Sequence, residues 1–496
     1  MPRTLPDPSP GAGRFLHGAA WSALNAAAGA LLPLGIFVVF ARWLPAAEIG
    51  VVALAVAVSE MIKAFGLPGL YEALLQQREE QQEEDRQRAA ETALACLLLG
   101  GLGLLGLYLL LTPLLVWLVP GVEQAGLAIA VLGLRIPLDL AVLQPQAMLA
   151  ERLSFRRLAL RSILATAGAG VAGLGLLLAG HPMAGLVTYQ LGLSVLLLLL
   201  TTAGTGTLVR PRLHRDCLRR LQQEATHASA VRLVAAVNNY LDQVLVAGLL
   251  GGLQLAYYNL AKRVETILIT AAASFGGILF QPVFARRRPG DTAEGLRRGL
   301  MILTASCGLA TAVIMATHLR LITLVFGPAW AEAAPVAALL ALGGFLRALG
   351  SAHGSLLSVS GRNRQLLRVS LGSAGSGLAL VLLLAPVGLI PCALALALRS
   401  LGSTAAMAWL TRHDLPRTGQ VYALEVVLPF GAMLAGAGAG EALAGRVFAS
   451  AEQGLASGLL TLAAAATAAT GLMLLYLGLR LLCRRWFAMP RPAPQA

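Results

Sequence analysis

Long apolar stretches separated by short polar ones run along the chain from residue 15 to residue 482, and their length sets the first expectation. Each stretch is about 20 to 28 residues, and at 1.5 Å per residue a helix of that length crosses a hydrocarbon core of about 30 Å. Spans are predicted at 15–40, 49–75, 90–114, 124–148, 158–180, 183–206, 227–250, 255–284, 297–319, 332–359, 366–386, 390–411, 422–443 and 455–482. The predicted fold class is an all-α polytopic membrane protein of about fourteen transmembrane helices. The short alternating segments of an outer-membrane barrel are absent from this pattern.

The polar positions repeat a plan. Ala41–Phe65 (ARWLPAAEIGVVALAVAVSEMIKAF) reads as helix, short turn and helix, with Glu60 and Lys63 in its second helix. Ala228–Glu265 reads the same way, with Asp242 in its first helix and Lys262, Arg263 and Glu265 in its second. A later basic corner, MLAERLSFRRLALRS from Met148, is matched by LLSVSGRNRQLLRVS from Leu356. The expected organisation is a cytoplasmic tail at 1–14, a six-helix N-lobe at 15–206 and a basic cytoplasmic linker at 207–226. A six-helix C-lobe follows at 227–411, then an appended helix pair at 422–482 and a cytoplasmic tail at 483–496. Six is even, so the two copies should share one orientation about an axis along the membrane normal. Met1–Gly13 is Pro-rich and has no apolar run of its own, so the first helix is expected to act as the insertion signal.

Composition strengthens the membrane reading. Of the 496 residues, 57% are hydrophobic and only 12% charged, about half the charged share of a soluble domain. The net charge of +14 raises the question of nucleic acid, and the placement of the arginines answers it. They crowd alternate loops, as at Arg210–Arg220, Arg286–Arg298 and Arg480–Arg491, while the intervening loops hold Arg42, Arg320 and Arg446. The positive-inside rule then puts both termini in the cytoplasm, with the arginines facing anionic lipid headgroups and no nucleic-acid role needed. Cys96, Cys217, Cys307, Cys392 and Cys483 have no metal-ligand or disulfide spacing, so no metal or other cofactor is expected.

Glycine and proline interrupt the spans. GLGLLG from Gly101 and GAGVAG from Gly168 match a dinucleotide-binding pattern but follow no strand, so close helix packing is the expected role of these clusters and of Gly372–Gly377. Pro33, Pro137, Pro145 and Pro282 fall within spans and should kink them.

The charges left inside spans carry the functional reading: Glu60, Lys63, Arg135, Asp139, Asp242, Lys262, Arg263, Glu265, Arg347 and Arg399. Each would cost about 2.5–3.5 kcal/mol at the centre of an isolated span, so they should face an internal cavity or one another. Glu60 with Lys63, and Arg135 with Asp139, share a helix face, and each pair either neutralises itself or belongs to a site. Arg347 and Arg399 have no acid within a helical turn, and a hydrated cavity that attracts an anion accounts for them best. Asp242, close to Asn238 and Asn239, is either a proton or cation site that couples transport to a gradient, or the counter-charge of an arginine. Asp139, Glu60 and Glu265 are the other candidates for ion coupling.

At these residues the chain resembles the polysaccharide transporter, or Wzx-like, branch of the multidrug/oligosaccharidyl-lipid/polysaccharide (MOP) flippase superfamily. The pieces that carry the resemblance are ARWLPAAEIG at 41–50, MLAERLSFRRLA at 148–159, YLDQVLVAGLLGGLQLAYYNLAKR at 240–263, ILFQPVFA at 278–285 and FGPAWAEAAPVAALLALGG at 326–344, in order over most of residues 15–411. The resemblance implies an inverted-V transporter that flips an undecaprenyl-diphosphate-linked glycan by alternating access, coupled to H+, Na+ or membrane potential. It also implies membrane lipids, a polysaccharide polymerase and chain-length proteins as partners. The family's cationic cavity maps onto Arg135, Lys262, Arg263, Arg347 and Arg399, with Lys63 weakened by Glu60. The chain departs from the family in its Ala, Gly and Leu content and in its added helix pair, a feature shared with lipid II flippases. A lipid II flippase and an ion-coupled drug exporter are the alternatives within the superfamily. An exporter cavity should be acidic or aromatic, whereas aromatic residues are 5% of the chain. A membrane glycosyltransferase or polymerase would need carboxylates on a sizeable outer loop, where the loops here are short, with scattered acids such as Glu48, Glu123 and Glu332.

Overall fold

The computed structural model describes residues 28–66, 68–75, 83–120, 122, 125–152, 154–203, 207, 209–275, 289–415, 417–447 and 455–486. The 1–14 tail, the start of the first span, ILFQPVFA with Pro282, Arg286–Arg288 and the end of the 483–496 tail lie outside the described residues.

Apolar composition without strand alternation folds as expected: the described residues are helical and contain no strand. The helices are α1 (Ala28–Trp43), α2 (Ala46–Lys63), α3 (Leu70–Leu75), α4 (Glu83–Leu118), α5 (Gly126–Leu132), α6 (Arg135–Glu151), α7 (Phe155–Leu178), α8 (Pro182–Thr202), α9 (Arg215–Leu250) and α10 (Gly252–Phe275). They continue with α11 (Pro289–Leu303), α12 (Leu309–Phe326), α13 (Ala333–Val359), α14 (Asn363–Leu384), α15 (Leu389–Leu410), α16 (Thr418–Tyr422), α17 (Leu428–Val447) and α18 (Leu455–Trp486). Among the described residues, eleven helical segments are long and apolar enough to cross a membrane, and the chain is a polytopic helical membrane protein. α10 is 24 residues long but carries Lys262, Arg263 and Glu265, and it is not one of the eleven.

Packing divides the chain into two compact units. The first holds Met1–Asn259 and Val381–Leu389, and the second holds Leu260–Leu380 and Ile390–Ala496. The boundary falls within α10, after Asn259.

In the first unit, α7 packs along α8, α4 along α6, and α2 and α3 against α9. Its interior is filled by Leu54, Leu97, Ile129, Leu132 and Ile136, all shielded from solvent. Tyr108 is also buried, and its hydroxyl donates to the Ile129 carbonyl at 3.0 Å. Pro137 divides the fourth predicted span. A proline has no N–H to return to the carbonyl four residues earlier. The Gly133 carbonyl accepts instead from Ile136 N–H at 2.9 Å, and the helix breaks into α5 and α6 with Arg135 as the first residue after the break. At Pro33 and Pro145, where a kink is also predicted, the helix continues.

In the second unit, Leu296, Leu300 and Leu303 of α11 meet Phe345 and Leu349 of α13 in one core, which Val426 also joins. A second core sets Met433 and Ala437 of α17 and Ala465 and Ala469 of α18 against Ala312 of α12. The glycine clusters have two roles rather than the single packing role expected. A methyl group at Gly101 would press on Pro137 and one at Gly173 on Tyr189, whereas Gly100, Gly103, Gly106, Gly372 and Gly375 have nothing within 4 Å.

Candidate functional site

In the first unit the two intrahelical pairs combine. Lys63 Nζ lies 2.7 Å from Glu60 Oε1 and 2.5 Å from Asp139 Oδ2. Arg135 Nη2 lies 3.4 Å from that Glu60 oxygen and 3.7 Å from that Asp139 oxygen. The four groups close a ring of alternating charge across α2 and α6, and two cations against two carboxylates leave no net charge. α8 is drawn in through Ser194, whose Oγ accepts from Arg135 Nε at 3.4 Å. Arg135 Nη1 is buried and has no hydrogen-bond partner among the described residues. Tyr240 of α9 lies within electrostatic reach of both Glu60 and Arg135. Sequence spacing identified the two pairs; the break at Pro137 is what opens the fourth span where the second pair begins.

Asp242 lies in the same unit, buried, in a separate polar patch. Its Oδ2 accepts from Tyr258 Oη at 2.6 Å and its Oδ1 from the Gln243 N–H at 2.8 Å. Gln243 Oε1 in turn accepts from Asn259 Nδ2 at 3.1 Å, and Gln243 Nε2 donates to the Asn239 carbonyl at 3.3 Å. This arrangement links α9 to the first turns of α10 through oxygen-rich side chains. Such oxygens can hold a proton or a hard cation.

The second unit carries a cluster of the opposite character. Glu265, 3% exposed, accepts from Arg347 Nη1 at 2.9 Å and faces Lys262 Nζ at 3.5 Å. Arg399 also acts on this carboxylate through its charge. Lys262 and Arg347 contact the carboxylate, and Arg399 lies within electrostatic reach of it. Arg263 is half-buried in the same turn of α10. Arg347 has no acid within a helical turn, and its partner lies 82 residues earlier in the chain, on another helix.

Two glycines shape this cluster. On α13, Gly344 stands three residues before Arg347, on the same face, and a methyl there would sit 3.2 Å from Glu265 Cγ. On α14, a methyl at Gly377 would sit 2.6 Å from Arg399 Nη1. Both helices present only hydrogen at these points.

Glu425 is a further acid within a predicted span. It lies in a π-helical turn at Ala423–Val427 and is buried. Arg480 of α18 grips it with two contacts of 2.6 Å, and Arg297 of α11 reaches it at 3.3 Å. The rule applied to the other charges, an ionised group inside an apolar span, would have found it. His353 was invisible to that rule; its ring nitrogens lie 2.7 Å from Thr411 Oγ1 and 2.7 Å from Tyr422 Oη. Among the described residues no group of His, Cys, Asp and Glu could hold a metal ion.

Comparison with known proteins adds three findings. The family model described as "Polysaccharide biosynthesis protein" matches residues 39–335. The teichuronic acid biosynthesis protein TuaB of Bacillus subtilis (strain 168) is 29% identical over 135 residues, which cover 26% of this chain and 28% of that protein. The chain therefore matches little more than a quarter of that relative's length. Among solved structures, the lipid II flippase MurJ in an inward closed conformation superposes with a TM-score of 0.74 at 12% identity, over 96% of this chain and 100% of that one. An inward-facing multidrug resistance MATE transporter of the MOP superfamily gives a TM-score of 0.58 at 13% identity, over 81% of this chain and 96% of that one. At these identities the two structures bear on the fold alone.

Proposed function

The chain belongs to the polysaccharide biosynthesis protein family, and on that footing we propose that it is a flippase for an undecaprenyl-diphosphate-linked oligosaccharide. It carries the repeat unit from the inner to the outer leaflet of the bacterial cytoplasmic membrane, with fourteen crossings and both termini in the cytoplasm. It acts as a transporter, not as an enzyme.

The observation that carries this reading is the gathering of Lys262, Arg347 and Arg399 about the buried Glu265 in the second unit. A sugar-linked lipid diphosphate carries two negative charges near neutral pH, and a buried cationic cluster holds it where water cannot. Arg263, in the same turn, adds to the attraction. The headgroup crosses by alternating access while the lipid tail stays in the bilayer, because several sugars and a diphosphate cannot enter about 30 Å of hydrocarbon unaided. Asp242 with Tyr258 is the proposed coupling site for H+ or Na+.

Depletion of the protein in its native cell tests the reading. Mass spectrometry should find a lipid-linked saccharide accumulating on the inner leaflet. Normal amounts of outward-facing repeat units would refute it.

A further inference from the structure

The ring in the first unit differs from the Glu265 cluster in kind. It has no surplus charge, so a phosphate would lose to Glu60 and Asp139 what it gained from Lys63 and Arg135. What the ring offers is donors and acceptors side by side within one small patch. A hydroxyl is both donor and acceptor, and a pair of neighbouring hydroxyls on a sugar ring can bridge a carboxylate and a cation together. Charged partners make such hydrogen bonds stronger than neutral ones.

Three further observations point to a ligand. Arg135 is 7% exposed, yet its Nη1 finds no acceptor among the described residues. A buried donor left this way is destabilising, and an incoming hydroxyl oxygen would relieve it. The other three members stay reachable, with side chains 14% exposed at Lys63, 19% at Asp139 and 23% at Glu60, where a purely internal clamp would be sealed. An aromatic ring, Tyr240, lies within reach of the same groups, and aromatic surface suits the apolar face of a sugar.

We propose that Glu60, Lys63, Asp139 and Arg135 form a saccharide subsite that reads neighbouring hydroxyls of a neutral sugar. This rests on the flippase reading above and adds to it a second contact region that senses the glycan and is indifferent to the diphosphate.

Binding to the full-length protein in lipid nanodiscs tests it, with two probes. One is undecaprenyl diphosphate without sugar; the other is the lipid-linked saccharide pool extracted from cells depleted of the protein. The native protein should bind the saccharide form at least about tenfold more tightly than the bare diphosphate, a difference of about 1.4 kcal/mol. Glu60→Gln combined with Asp139→Asn, which keeps shape and removes the charged acceptors, should abolish that preference without weakening the bare diphosphate. Arg135→Lys, which keeps the charge and removes Nη1, should reduce the preference in the same direction. Equal binding of both probes by the native protein overturns the subsite. So does an equal loss of both probes in the variants, or an unchanged preference in them. If the native protein binds neither probe, the flippase reading itself falls, and the subsite with it.

Discussion

Arg347 Nη1 donates to Glu265 Oε1 at 2.9 Å, joining α13 to α10 across 82 residues of sequence. The pair explains how an arginine without local acid is held inside an apolar helix, and why Glu265 is tolerated at 3% exposure. Arg347→Glu sets two carboxylates against each other and reverses the sign of one arm of the cluster. It should abolish transport while the amount of membrane-inserted protein holds, and adding Glu265→Arg should recover part of the activity. Full transport in Arg347→Glu and in Arg399→Glu alike would sink the anion-site assignment. The thermal cost of Arg347→Ala should stay below the about 3–5 kcal/mol of a sealed pair, since Lys262 and Arg399 still act on Glu265.

Gly377 lies so close to Arg399 that a methyl would stand 2.6 Å from Nη1. Gly377→Ala should displace the guanidinium and cost about 1–3 kcal/mol in melting experiments, as overpacking does. Its transport rate should fall with it. Gly372→Ala, on the same helix with open space around it, serves as the comparison and should behave like the native protein. Arg399→Ala in the Gly377→Ala background removes the colliding side chain and should restore the melting temperature lost in Gly377→Ala.

Asp242 and Tyr258 are expected to govern ion dependence. In Asp242→Asn, transport measured under an imposed proton or sodium gradient should become flat with respect to the gradient. Tyr258→Phe removes the 2.6 Å donor to the carboxylate while leaving the charge. It should keep gradient dependence and shift the ion concentration at half-maximal rate by about tenfold, the scale of one charge-assisted hydrogen bond. Unchanged gradient dependence in Asp242→Asn would leave this residue as a structural counter-charge.

Glu425 is held by Arg480 and Arg297, so the last two helices are tied to α11 through one buried carboxylate. Arg480→Ala should destabilise by about 3–5 kcal/mol, seen as a lower melting temperature and as faster proteolysis near α18. Arg480→Lys keeps the charge but loses the two-pronged grip, and should fall between the two. Equal melting temperatures for all three proteins would show that the contact adds nothing.

Much of the architecture is written in the one-dimensional pattern. Apolar segments of membrane-spanning length, interrupted by arginine-rich turns, admit only helices, because a lipid-exposed backbone must satisfy its hydrogen bonds within its own segment. The same pattern marks the charged residues that need partners, since an ionised group in hydrocarbon is costly wherever it sits. Spacing along a single helix could pair Glu60 with Lys63 and Arg135 with Asp139, because residues three or four apart share a face. It could not join the two pairs into one neutral ring, find Glu265 for Arg347, or give Asp242 its Tyr258. Those contacts link α2 with α6, α13 with α10 and α9 with α10, and they depend on which helices lie side by side. Nor does periodicity tell which glycines admit a neighbour and which face open space, as Gly377 and Gly372 do on one helix. The sequence alone determined that charges lie within the membrane. Tertiary packing decided which of them meet, because Coulomb attraction is strong only at the few ångströms that folding sets.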